Sequence, residues 1–232
     1  MRFLIQTFNK KVLHDFSFTL IESCRYQNWK NNDNAIKVRL TDGKMYANYV
    51  PIGSVEFVSE YLLKYYGVVP KPINIPSDLL HERFTGRRVF NGTEKDILGD
   101  KFVKSNDKIK SFTEICNSAP IGNYQISDII EIKSEWRAFV YNGNLVGLQN
   151  YSGDFRLFPN VETIGDMIKA YNSQPIAYTL DVAIVGDKTV IIEVHDFFSC
   201  GLYGFANHNI LPFMFSRWFY SFVRNNKIKF AN

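Results

Sequence analysis

Short alternating apolar runs mark residues 2–7 and 36–40 as strands, and the stretch between them has no sustained apolar period. That stretch is rich in Asn and Lys and predicts surface loop or weak helix. From Pro51-Ile52-Gly53-Ser54 onward the period becomes helical. Ser54 can accept from the free amides of a first turn, and Glu56 suits that turn's positive end. Phe57, Tyr61, Leu62 and Tyr65 recur at helical spacing, and Gly67 can close the helix in the left-handed region. Pro70, Pro72 and Pro76 then enforce an extended connector. Residues 91–100 are polar, carry Gly92 and Gly99, and read as a loop between lobes. The domain boundary is placed there, giving an N-terminal α/β lobe over residues 1–95 and a second part over 96–232.

The second part reads mostly as strands: residues 101–104, 124–132, 135–141 and 145–151, with a tight hairpin turn at Asn142-Gly143-Asn144. Residues 161–171 have a helical period. Residues 178–185 and 189–195 form another hairpin, rich in β-branched side chains. A last helix over residues 211–224 places Leu211, Phe215, Trp218 and Phe222 on one stripe, which predicts core contact rather than a membrane-surface helix. The overall class is α+β.

Composition narrows the field. At 232 residues, 46% apolar and 22% charged, the chain is globular, and 27 basic against 23 acidic residues give only +4. That balance does not by itself imply nucleic-acid binding. Cys24, Cys116 and Cys200 are odd in number and far apart, so neither a disulfide framework nor a zinc knuckle is expected. No signal peptide or membrane span is apparent, and the expected location is the cytoplasm.

The sharpest chemical feature is the hairpin bearing Asp181 and Glu193. If its loop is Gly186-Asp187-Lys188, Asp181 falls opposite Glu193, with Cβ atoms about 4.5–5.5 Å apart. Facing carboxylates repel, and a hard divalent cation relieves them. A two-residue loop would turn them to opposite faces, and scattered acids on a solvated strand remain the plainer alternative. Lys104 and Lys110 bracket a short turn and can converge on a polyanion, or simply line a solvated loop. Arg137 follows Glu135 at period two, suited to a phosphate or to a structural ion pair. Gly86-Arg87-Arg88 reads as a solvated turn in preference to a basic contact for an acidic substrate or RNA. The loop from His195 to Phe205 carries Gly201 and Gly204, and Cys200 in it lacks a partner that would make it a nucleophile.

In order, several stretches resemble the ATP-grasp superfamily, and more closely its R2K clade of small, often phage-associated members. They are Pro51-Ile52-Gly53-Ser54-Val55-Glu56-Phe57, Phe102-Val103-Lys104 with Ile109-Lys110-Ser111-Phe112-Thr113, Ser134-Glu135-Trp136-Arg137, Leu180-Asp181-Val182, Ile192-Glu193-Val194-His195 and Gly201-Leu202-Tyr203-Gly204. The resemblance implies an ATP-grasp fold, with a central lobe near residues 100–130, a C-terminal antiparallel sheet near 131–232, and ATP between them. It implies a ligase that joins a carboxylate to an amine through an acyl phosphate, on an amino-acid-like, peptide or protein substrate. Lys104 and Lys110 would contact ATP phosphates, and Ser127, Asp128, Ile129 and Ile130 would line adenine. Asp181 and Glu193 would hold Mg²⁺, with Mn²⁺ as an alternative, and Arg137 would steady the transferred phosphoryl group.

One departure stands out. Many ATP-grasp proteins carry Asn two residues after the metal-binding Glu, where this chain has His195. His195 could then bind substrate or act as a base, or Asp196 could supply the missing oxygen. Arg156 and Tyr203 are the candidate substrate contacts. Two rival classes stay open, a nucleotide-binding protein without catalysis and, ranked last, a nucleic-acid-binding or -modifying protein.

Overall fold

The computed structural model describes residues 1–109 and 111–228, arranged as two compact units. The first comprises Met1–Val69, Pro175–Ala177 and the chain from Asp196 onward; the second comprises Pro70–Gln174 and Tyr178–His195. The chain passes from the first to the second at the proline-rich connector. Residues 91–100, where the sequence placed the boundary, lie inside the second unit.

The first unit contains β1 (Arg2–Phe8), β2 (Lys11–Val12), α1 (Asp15–Asn31), β3 (Lys37–Thr41), β4 (Val50–Ile52) and α2 (Val55–Tyr66). β1 is central, parallel to β3 and β4 and antiparallel to β2. Phe3, Leu4 and Ile5 are all fully buried, as a strand covered on both faces requires. The α2 helix starts and stops where the sequence indicates: Ser54 accepts from the Phe57 amide, and Gly67 closes it at φ 71. The α1 helix is the difference. Its buried face mixes Phe16, Leu20 and Cys24 with Ser17, Ser23 and Gln27, so no apolar stripe marks it. Hydrogen bonds hold Ser23 and Gln27 of that face instead, Ser23 Oγ with His208 Nδ1 at 2.8 Å and Gln27 Nε2 donating to the His208 carbonyl at 2.8 Å. The C-terminal helix, Leu211–Ile228, buries Leu211, Phe215 and Trp218 as its stripe predicts. No helix among the described residues is long and apolar enough to cross a membrane.

The second unit holds two four-stranded sheets. One orders β5 (Val89–Thr93), β8 (Asn123–Ser127), β6 (Lys101–Ser105) and β7 (Thr113–Cys116), all antiparallel neighbours. The other orders β10 (Asn144–Gly153), β9 (Ser134–Tyr141), β11 (Ala177–Val185) and β12 (Lys188–Asp196). The short α3 (Glu82–Thr85) and the longer α4 (Val161–Ala170) complete it. Asn91 and Gly92, polar enough to read as loop, are ladder-bonded in β5 to Gln125 and Tyr124. The strand expected over residues 124–132 stops at Ser127. Asp128 leaves the ladder, its amide bonded to the Arg88 carbonyl and its carboxylate to Lys101 Nζ at 2.7 Å. The isoleucines beyond it imitate a strand in sequence, yet Ile129 and Ile132 are exposed.

Asn142 and Gly143 both take positive φ, 50° and 71°, the geometry of the tightest hairpins. At the far end of β10, Gly153 at φ 74 lies against the Lys133 backbone, and a Cβ there would collide with the Lys133 carbonyl oxygen. Gly67 shares the left-handed conformation but faces open space. Alanine at Gly67 is expected to cost about 1–2 kcal/mol from backbone strain alone. Alanine at Gly153 is expected to cost clearly more, both read from urea midpoints. Equal losses would show that the approach of Gly153 to Lys133 does not constrain the fold.

Candidate active site

Alternation along β9 and β11 sorts their side chains onto two faces. Trp136, Ala138, Val140, Tyr178, Leu180 and Val182 enter one core with Ile164, Met167 and Ile168 of α4. The intervening Glu135, Arg137 and Asp181 therefore belong to the opposite face. There Arg137 grips Asp181 bidentately, Nε to Oδ1 at 2.8 Å and Nη2 to Oδ2 at 2.7 Å. Asp181 is only 1% exposed.

The β11–β12 turn is Gly186-Asp187, two residues rather than three. Regular pairing from that turn would put Glu193 on the core side, away from Asp181. The strand avoids this with an irregular step. Ile191 and Val194, three residues apart, both enter the α4 core, which strict alternation forbids. One extra residue between them re-aims Glu193 and His195 onto the Asp181 face, as a bulge does. The Ile191 carbonyl beside this step accepts from Arg87 Nη1 at 3.1 Å. Arg87 is thus buried rather than part of a solvated turn, and burial lowers its pKa to about 10.

Five side chains converge as a result. Lys104 of β6 pairs through Nζ with Glu193 Oε2. His195 Nε2 lies 2.6 Å from Glu193 Oε1 and 4.0 Å from Asp181 Oδ2. Donor atoms of Asp181, Glu193 and His195 all lie within 4.8 Å of one another. The row runs Lys104, Glu193, His195, Asp181, Arg137, with each acid beside a basic side chain. Burial by itself would raise the Glu193 pKa, but His195 and Lys104 outweigh it and hold the carboxyl well below the usual range. Asp181, Glu193 and His195 could hold a metal ion, and the basic Lys104 and Arg137 lie on either side of them.

The remaining expectations divide. Lys110 lies outside the described residues. Ser127 is buried at the end of β8, and Asp128, Ile129 and Ile130 follow it outside the ladder. Asp196 is engaged elsewhere, its Oδ1 accepting from Trp218 Nε1 at 2.8 Å. Arg156 is an exposed partner of Asp154 at 2.8 Å, which holds the Asp154 carboxyl down at about 2. Tyr203 belongs to the first unit and is 45% exposed. The three cysteines are free thiols, and burial pushes Cys24 up to about 12.

Sequence reasoning misses three supporting residues. Asn74, at φ 53, bonds the Val194 amide through its carbonyl at 2.7 Å. Its Nδ2 donates to the Ser105 carbonyl and to Asn106 Oδ1 at 3.0 and 2.7 Å. It therefore ties the end of β6 to β12, where Lys104 meets Glu193. Gln125 clamps the Ile75 backbone through both amide atoms, at 2.8 and 2.9 Å. Tyr151 is the residue skipped in the β10 register between Asn150 and Ser152, and its hydroxyl donates to Glu135 Oε2 at 2.8 Å. Burial, then the neighbouring carboxylates of Asp181 and Glu135, raise its pKa. Only the proline pattern hinted at the extended segment around Asn74.

The fold is that of ATP-grasp proteins. A RimK domain ATP-grasp protein from Sphaerobacter thermophilus shares it at TM-score 0.54 and 10% identity, covering 92% of this chain and 98% of that one. The ATP-grasp ligase PsnB, complexed with minimal precursor, matches at 0.53 and 11%, covering 94% and 98%. D-alanine–D-alanine ligase from Bacillus anthracis matches at 0.51 and 11%, covering 99% of each chain. Residues 84–212, more than half of the sequence, match the ATP-grasp domain of R2K clade family 2, and the chain belongs to that family. Among curated proteins none matches the chain.

Removing Arg137 strands a buried carboxylate. Arg137→Met is expected to lower stability by about 3–5 kcal/mol in urea unfolding; a loss under 1 kcal/mol would show that Asp181 finds other compensation. A carboxyl whose pKa falls on folding stabilises the fold above its unfolded value of about 4.3, and that contribution is lost on acidification. The wild type should therefore lose stability as pH drops through 4 and below more steeply than Glu193→Gln. Parallel pH profiles of unfolding midpoints would contradict the assignment.

Proposed function

We propose that the protein is an ATP-dependent ligase that joins a carboxylate to an amine through an acyl phosphate. The observation that carries this reading is the convergence of Lys104, Arg137, Asp181, Glu193 and His195 in a member of the ATP-grasp family. Two carboxylates with converging oxygens fit a divalent cation, and Asp181 and Glu193 would hold it. When bound, the cation supplies positive charge against the phosphate oxygens.

The chain's own residues take the remaining work. Lys104 and Arg137 neutralise charge spread over the γ-phosphoryl group as it moves. The substrate carboxylate attacks the γ-phosphorus, the bond to the ADP oxygen breaks, and an acyl phosphate forms. The amine then attacks the acyl carbon, loses a proton and expels phosphate. Ser127 is the last paired residue of β8 and residues 128–130 lie beyond the ladder, which supports assigning this segment to the base. A ligase of amino acids and a ligase crystallised with a precursor share this fold, and both support an amino-acid or peptide substrate.

The test is ADP release over a panel of amino acids and peptides. Asp181→Asn and Glu193→Gln are expected to lower turnover by about 10²-fold or more, with circular dichroism unchanged. Lys104→Ala should abolish any positive result. Full ATP-dependent ligation in both acid variants would overturn the reading.

A further inference from the structure

His195 occupies the position where the family pattern has an amide oxygen, and its ring nitrogen is turned inward. The same atom, Nε2, faces both carboxylates, at 2.6 Å from Glu193 Oε1 and 4.0 Å from Asp181 Oδ2. Opposed ligands around Mg²⁺ or an ion of similar size stand roughly 4 Å apart and adjacent ligands closer. Three donors within 4.8 Å of one another therefore need only small side-chain shifts to share one ion. Asp181, Glu193 and His195 are also the one such group of His, Cys, Asp and Glu among the described residues.

The alternative oxygen donor is otherwise engaged. Asp196 accepts from the Trp218 indole, and it sits on the far side of the strand from His195 by alternation. Arg137 and Lys104 do not block the carboxylates. Each carboxylate has about four lone-pair sites, and Arg137 uses two on Asp181 while Lys104 uses one on Glu193. A base acting on substrate would present Nε2 to the substrate; here that nitrogen is within hydrogen-bond reach of Glu193 and lies near Asp181.

We propose that His195 Nε2 is a direct ligand of the site's divalent cation beside Asp181 and Glu193, and that it tilts the site from Mg²⁺ toward a first-row transition dication such as Mn²⁺. Magnesium selects oxygen donors, while an imidazole nitrogen raises affinity along the transition series. This rests on the ligase reading only in that a cation and nucleotide bind together.

The test uses the full chain with Mn²⁺ and a non-hydrolysable ATP analogue. Electron spin-echo envelope modulation should show nitrogen of a directly bound imidazole in the wild type and lose it in His195→Asn. That variant restores an oxygen donor, and the ratio of Mn²⁺ to Mg²⁺ affinity, from competition calorimetry, should fall about tenfold. A Mn²⁺–analogue complex without the nitrogen signal overturns the ligand assignment and leaves the ligase reading standing. Failure of the wild type to bind the analogue with either cation overturns both.

Discussion

Two carboxylates held close together inside a protein are the constraint around which this site is organised. Asp181 and Glu193 bring oxygens within 4.8 Å of each other. At an effective dielectric near 20 that repulsion amounts to at least about 3–4 kcal/mol. A solvent-exposed ion pair supplies only ~0–1 kcal/mol and could not offset it. The fold answers with two separate cations from different strands, Arg137 gripping one acid and Lys104 the other, and with His195 between them. The same groups that stabilise the acids are those a polyphosphate would engage. Stability and ligand binding therefore draw on one set of charges.

Holding that row together requires departures from regular sheet geometry. A uniform β12 would bury Glu193 in the α4 core, so the strand slips one residue between Ile191 and Val194. The β10 strand shifts register at Leu145/Gly147 and again at Asn150/Ser152, and the second shift frees Tyr151 to hold Glu135. Across the two sheets, Asn74 and Gln125 fix the connector that runs between β12 and β8. Bulges next to a functional face are how a sheet redirects single side chains without losing its ladder.

What the sequence made legible follows from which forces are local. The α2 helix has its cap, its stripe and its closing Gly67 within a short span of chain, and its bounds could be read directly. The Asn142-Gly143 turn and the C-terminal helix were equally plain. The α1 helix was not, because its buried face depends on hydrogen bonds to His208, far away in sequence. The closeness of Asp181 and Glu193 was anticipated from an expected three-residue loop; the turn has two residues, and the two acids still meet because Ile191 and Val194 break the alternation of β12. Propensity gives no sign of a one-residue slip inside a run of Val and Ile. Asn74 was invisible for a related reason, since nothing near Asn74 in the chain needs it.

His195 shows where local reading and tertiary context meet. From sequence, an imidazole at a position associated with an amide could mean lost chemistry, substrate binding or a base. Geometry narrows those choices, because the inward nitrogen is directed at both acids and the neighbouring Asp196 is held by Trp218. A side chain that had drifted free of function would have no reason to sit 2.6 Å from a carboxylate that Lys104 already neutralises. Glu193 is thereby contacted on one oxygen by Lys104 and on the other by His195.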